Sequence, residues 1–152
     1  MYVDAFAPDQ GETVLPLAGA GSALAVDPTT VFDFVPYPGA PAGDIDLYLK
    51  QNVFLTSFAG GVPARTAMLL YATQRPFALS AGNEPSGVPA WKTIPSWYAL
   101  GTADAIITPA RRLFMARRAH STVVRVNAGH LSPVSQPGAV TDVITKAART
   151  TS

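Results

Sequence analysis

The sequence predicts an α/β fold in which three parallel strands carry flanking helices, with a helical cap insert between the first strand and the other two. Three observations carry that expectation. The last third of the chain alternates strand-like and helix-like segments, a Pro- and Gly-punctuated stretch separates it from an opening strand, and an acid and a histidine each follow a strand. The acid is Asp104, in Thr102-Ala103-Asp104, and the histidine is His130, after Gly129. Parallel strands joined by right-handed helical crossovers present their carboxyl ends along one edge, and ligands of open sheets bind outside that edge. Asp104 and His130 are therefore expected on a common rim.

Residues 1–11 read as a strand and its exit loop. Met1 to Ala7 is β-prone, and Pro8-Asp9-Gln10-Gly11 breaks it. Asp4 falls at the strand end or faces the loop, with no assigned role. Residues 12–92 form the cap-like insert. From Glu12 to Ala42, five prolines interrupt short apolar pieces such as Val31-Phe32-Asp33-Phe34-Val35, which reads as an irregular or weakly hairpinned excursion. Asp44 to Leu49 then reads as helical, leading to Phe54 and Phe58 and stopping at Gly60-Gly61. Pro63 suits a first helical position, and Ala64, Ala67, Met68, Tyr71 and Ala72 recur at helical spacing until Pro76. Pro76 to Pro89 reads as a loop.

Residues 93–152 read as strand, helix, strand, helix. Pro95 to Leu100 is a short apolar run suited to a parallel strand buried on both faces, ended by Gly101-Thr102. Thr108 is a helix cap and Pro109 the first helical residue, with Leu113, Phe114 and Ala116 facing inward. His120 fits a cap to that helix's carbonyls. Thr122 to Asn127 is the next strand. A last helix begins at Ser135-Gln136-Pro137, with Ala139, Val140, Val143, Ile144 and Ala147 as its apolar stripe.

The chain's 152 residues suit one domain, 48% hydrophobic and only 14% charged. Soluble domains average about 25% charged residues, so part of this surface is expected to be covered. A net charge of +1 gives no electrostatic footprint for nucleic acid or an anionic membrane. The one basic cluster, Arg111-Arg112 with Arg117-Arg118, is placed on the solvated outer side of a helix. The absence of cysteine excludes disulfides, thiol catalysis and thiolate metal sites. With no leader-like or membrane-spanning run, a cytoplasmic setting is expected. No cofactor is implied, since there is no glycine-rich phosphate loop and the two histidines lack a metal-binding spacing.

A histidine held by a carboxylate from a neighbouring strand end is the orienting half of a nucleophilic relay. The carboxylate fixes the tautomer and stabilises the imidazolium formed when the histidine takes a proton from a serine. The plainer reading makes Asp104 a turn residue and His130 a structural histidine. No serine occupies a strand-to-helix elbow. Ser22, in Gly19-Ala20-Gly21-Ser22-Ala23-Leu24, lacks both the glycine spacing and a preceding strand.

Pro95 to Asp104, Ile107-Thr108-Pro109, Arg112 to Ala119, Thr122 to His130 and Val134-Ser135-Gln136-Pro137 resemble the late-strand region of bacterial single-domain α/β-hydrolases of the carboxylesterase type. Tyr2 to Glu12 resembles that family's sixth strand and exit loop, and Ala72 to Pro76 its cap. The resemblance implies the C-terminal part of an α/β-hydrolase fold, with Asp104 as catalytic acid and His130 as catalytic base. The family's first five strands, its His-Gly oxyanion loop and its Gly-x-Ser-x-Gly elbow have no counterpart here. It thus implies a carboxylic ester hydrolase of Ser-His-Asp type, acting on a small-molecule ester, inactive alone or dependent on a partner chain. The Met1 to Ala7 strand would lie open along one side, and an unpaired strand edge recruits a complementary amino-terminal chain or a second copy. A non-catalytic remnant serving as a binding or dimerisation module is the alternative.

Overall fold

The computed structural model describes residues 1–150. Its elements in order are β1 (Tyr2–Val3), α1 (Val14–Leu17), α2 (Pro28–Val31), β2 (Phe32–Val35), β3 (Asp46–Leu49), α3 (Gln51–Val53), a π-helical turn (Phe54–Phe58), α4 (Ala64–Ala72), β4 (Phe77–Ala78) and α5 (Leu79–Asn83). A 3₁₀ turn (Ala90–Lys92) then leads to β5 (Trp97–Gly101), α6 (Pro109–Arg118), β6 (Thr122–Val126), α7 (Ser132–Ser135) and α8 (Pro137–Thr150). Two three-stranded sheets result. One is parallel, in the order β1-β5-β6, and the other is antiparallel, in the order β2-β3-β4.

The parallel sheet is the expected one, although β1 is ladder-paired only at Tyr2 and Val3 rather than through Ala7. Its centre is β5, which is buried on both faces. Tyr98 and Leu100 pack with Ile107, Met115 and Ala116 on the α6 side, while Ala99 packs with Val126, Ala128 and Val143 on the α8 side. Alternating side chains thus serve two cores, which is why the sequence here is an unbroken apolar run.

Helix α6 begins as expected, with Pro109 in the first turn and the Thr108 hydroxyl accepting from the Arg111 N–H at 3.4 Å. On its inward face Leu113 and Ala116 pack as expected, and Phe114 does not. Arg112, Met115, Ala116 and Ala119 are buried, a spacing of three, four and seven residues from Arg112, and Phe114 is 48% exposed. Treating Arg112 as solvated rotated the expected apolar stripe onto Phe114, which instead lies under the guanidinium groups of Arg111 and Arg118. In α8, Val140, Val143 and Ala147 are buried, but Ile144 is exposed because it sits at the margin of the stripe.

His120 also departs from its expected role. It closes α6 through the backbone at φ 49°, where its N–H donates to Arg117 and the next N–H, of Ser121, reaches back to Ala116. This pair of bonds is a left-handed helix end that glycine usually occupies. The imidazole is not the capping group.

The insert departs most. Asp44 to Leu49 was expected to be helical, yet Asp46–Leu49 is the middle strand of the antiparallel sheet. Leu47 and Leu49 alternate with Asp46 and Tyr48, a period of two, and the hairpin with β2 sets Leu47 opposite Phe34 and Leu49 opposite Phe32. Gln74 then pairs with the same Leu49 from the other side, its side-chain amide accepting from the Leu49 N–H at 3.1 Å and donating to its carbonyl at 3.0 Å. The stretch from Pro76 to Pro89, expected as a loop, holds β4 and α5. What orders it is distant in sequence: the Asp44 carboxylate accepts the Ser80 N–H at 2.9 Å and the Ser80 hydroxyl at 2.6 Å, at the start of α5.

Those Ser80 bonds, with one from the Tyr37 hydroxyl, hold Asp44 well below the usual carboxylate range. A carboxyl depressed in the folded state contributes stability above its unfolded value, near pH 4, and that contribution is lost as pH falls further. Protection of the β4 and α5 amides against exchange, relative to the intrinsic rate at each pH, is therefore expected to fall below about pH 4. Asp44→Asn should show the lower protection already at neutral pH. A second outcome concerns His120: His120→Gly is expected to raise Tm by about 2–4 °C, the equivalent of about 1 kcal/mol of relieved left-handed strain.

Candidate active site

Three strand ends of the parallel sheet converge on one cluster of charged side chains. Asp4 follows β1, Asp104 lies beyond β5, and His130 lies beyond β6, while Arg112 enters from the first turn of α6. The chain beyond β5 is held against the chain beyond β6 by two backbone bonds, Thr102 N–H to Val126 and Ala103 N–H to Ala128. These bring the two loops together. Asp104 Oδ2 and His130 Nδ1 are 2.7 Å apart, as the shared rim required.

Asp104 is buried and its carboxylate is fully engaged. Oδ1 accepts the backbone N–H groups of Ile106 at 2.6 Å and Ile107 at 3.1 Å, which locks the carboxylate plane against its own loop. Oδ2 faces His130 and also lies 3.3 Å from Arg112 Nη1. With Nδ1 donating to Asp104, the His130 tautomer leaves Nε2 as the acceptor nitrogen. The imidazole packs against Phe58, ring centres 4.8 Å apart, and forms part of the wall of a cavity.

That cavity measures about 450 Å³, within the range of small-molecule sites. Its walls are mostly apolar: Leu47 and Leu49 come from β3, Phe54 and Phe58 from the π-helical turn, and Leu131 from beside His130. Arg75 is the one side chain of fixed charge in the wall. The parallel sheet thus supplies an acid-base pair and the insert supplies the surface that faces it.

Two glycines set the loop geometry. A Cβ on Gly129 would come within 2.5 Å of the Gly60 carbonyl oxygen, so only glycine lets the His130 loop close against the end of the π-helical turn. A Cβ on Gly101 would meet the carbonyl oxygens of Ala128 and Gly129 at 2.7 and 2.8 Å and Asp4 Oδ1 at 2.8 Å.

Sequence reasoning missed two members of the cluster. Arg112 is fully buried rather than solvated. Its Nη1 donates to Asp4 Oδ1 and its Nη2 to the Gly101 carbonyl, and Asp4 Oδ1 also accepts the Gly101 N–H at 2.7 Å. Asp4 takes up a left-handed backbone, φ 44°, to point its carboxylate inward. The available signal was the i, i+3, i+4, i+7 face running from Arg112 to Ala119, in which the arginine occupies a core position.

Ser22 is held by structure, its hydroxyl donating to the Ile106 carbonyl at 2.5 Å and accepting from the Leu24 N–H at 3.0 Å. No serine hydroxyl among the described residues bonds to His130. Nor do three metal-ligating side chains converge among them. No helix among the described residues is long and apolar enough to cross a membrane.

A sequence profile of the Alpha/beta hydrolase family matches residues 2–143. The chain belongs to that family. Solved structures share the fold at low identity. A polyneuridine aldehyde esterase variant superposes at TM-score 0.72 with 12% identity, covering 95% of this chain and 59% of that one. A methylesterase from Arabidopsis gives 0.73 and 14%, covering 97% and 57%. A pyrethroid hydrolase gives 0.66 and 18%, covering 97% and 59%. This α/β-hydrolase chain therefore spans less than two thirds of the length of those neighbours. No curated protein matches it.

Gly129→Ala is expected to cost about 1–3 kcal/mol through overpacking against Gly60. The same substitution should break the Asp104–His130 bond, read as loss of the hydrogen-bonded imidazole proton by NMR.

Proposed function

We propose that this chain carries the acid and base of a carboxylic ester hydrolase of Ser-His-Asp type, with Asp104 and His130 as its catalytic residues. The observation that supports it is the 2.7 Å Asp104–His130 contact in the wall of an apolar cavity. The fold neighbours include an esterase, a methylesterase and a pyrethroid hydrolase, which supports ester cleavage as the reaction. In this reading His130 Nε2 takes the proton of a serine hydroxyl as its oxygen attacks the ester carbonyl. Asp104 stabilises the imidazolium, which then protonates the departing alcohol, and water repeats the sequence to release the acid. The serine and the oxyanion donors come from a complementary amino-terminal half, which pairs along β1, whose one partner strand among the described residues is β5. The substrate is a small-molecule ester with an apolar part seated among Leu47, Leu49, Phe54 and Phe58.

Supplying a candidate amino-terminal half and following p-nitrophenyl hexanoate tests the reading. Hydrolysis is expected only in the mixture, and His130→Ala is expected to lower kcat/KM by about a thousandfold or more. A rate indifferent to His130→Ala removes the proposal. The apolar lining of the cavity also supports a second reading, a non-catalytic binding module, for which aliphatic esters would raise Tm without being turned over.

A further inference from the structure

The buried Asp4–Arg112 pair is unexplained by the acid-base chemistry alone. Arg112 is fully buried and Asp4 nearly so, and Asp4 Oδ2 and Arg112 Nε have no hydrogen-bond partner. Two buried polar atoms without a protein partner cost about 1–3 kcal/mol each, which makes the pair a poor staple for the fold. The position of the guanidinium is informative. Its Nη1 is drawn onto Asp4 Oδ1 and its Nη2 onto the Gly101 carbonyl, which leaves Nη1 3.3 Å from Asp104 Oδ2 while His130 Nδ1 is at 2.7 Å.

We propose that Asp4 and Arg112 are positioning residues: Asp4 holds the guanidinium back from Asp104, so that Oδ2 keeps its short hydrogen bond for His130. An arginine competes strongly for a carboxylate when nothing restrains it. Freed from Asp4, it would close on Oδ2 and displace the Nδ1–H, releasing the imidazole to the other tautomer and withdrawing Nε2 as an acceptor. Restrained, it lends positive charge to Asp104 without taking its geometry. The other titratable and charged groups facing the pair are few. Tyr98 on β5 stays a neutral donor to the Ala5 carbonyl, since burial pushes its phenol up, and Arg75 stands in the cavity wall.

This inference rests on the reading of Asp104 and His130 as acid and base, but its test needs no turnover. The chain has two histidines, and the exposed His120 serves as an internal reference for ¹⁵N and ¹H signals of the His130 ring. In the native chain at alkaline pH the neutral His130 is expected as the Nδ1–H tautomer with a downfield Nδ1 proton. Asp4→Asn preserves shape, and asparagine tolerates the φ of 44° at this position. It should shift His130 toward the Nε2–H tautomer and abolish the downfield proton. Arg112→Gln removes the competitor and should move that proton further downfield. The double variant should regain the signal that Asp4→Asn loses, a coupling that independent structural roles do not produce. If His130's tautomer and proton signal stay at their native values in all three variants while Tm falls, the pair is a structural staple and the proposal is overturned. Absence of esterase activity in the complementation assay would leave the expected NMR pattern unchanged.

Discussion

The guanidinium of Arg112 is the point on which the carboxyl edge of the parallel sheet is built. It reaches Asp4 beyond β1 and the carbonyl of Gly101 at the end of β5, and it belongs to the first turn of α6. Asp4 in turn accepts the Gly101 N–H, so both backbone polar groups of Gly101 are committed to this pair. Other local features follow from that arrangement. Gly101 can carry no side chain because Asp4 Oδ1 and the carbonyl oxygens of Ala128 and Gly129 fill the place, and Asp4 must leave the extended region to deliver its share. Asp104 then stands where the guanidinium and the imidazole can both approach one oxygen.

Burying three formal charges is a poor way to stabilise a fold. The desolvation cost of an interior ion pair usually matches or exceeds its attraction, and apolar residues of similar volume would pack as well or better. Asp4, Asp104 and Arg112 are nevertheless buried together at the carboxyl end of the sheet, beside an apolar core that holds Tyr98, Ile107 and Met115. Clusters of this kind concentrate where chemistry is done, because there a fixed field is worth more than the stability forgone. Elsewhere the chain handles charge at its surface. The Arg118 fork on Glu12, with both contacts at 2.7 Å, is partly exposed and joins the exit loop to α6 without entering the core.

What the sequence made legible divides along the same line. The strand, helix, strand, helix order after residue 93, the Thr108-Pro109 start of α6 and the meeting of Asp104 with His130 all depend on local periodicity and on the handedness of crossovers. Such signals survive without knowledge of partners. The insert was misread because its order is non-local: Asp44 fastens Ser80 across 36 positions, and Gln74 completes the edge of Leu49 across 25. A four-residue strand such as Asp46–Leu49 offers two apolar residues, too few to separate a period of two from one of 3.6. Arg112 was misplaced for a different reason. A single buried arginine contradicts the usual rule for its side chain, and such local violations tend to collect at functional sites.

The two sheets divide the site's tasks, and that division constrains how each can change. The Asp104–His130 geometry is fixed by strand ends, backbone bonds and two glycines without freedom to move, so it tolerates little variation. The facing wall is built from short elements of the insert, where Leu47, Leu49, Phe54 and Phe58 present apolar surface from a small antiparallel sheet and one π-helical turn. Replacing one aliphatic side chain there by another alters the space for a ligand while leaving the hydrogen bonds of the parallel sheet untouched. In the proposed reading, selectivity for the apolar part of a substrate belongs to the insert and the proton chemistry to the sheet. The two meet at His130, whose Nδ1 faces the buried carboxylate and whose ring packs on Phe58, so a change at Phe58 reaches both.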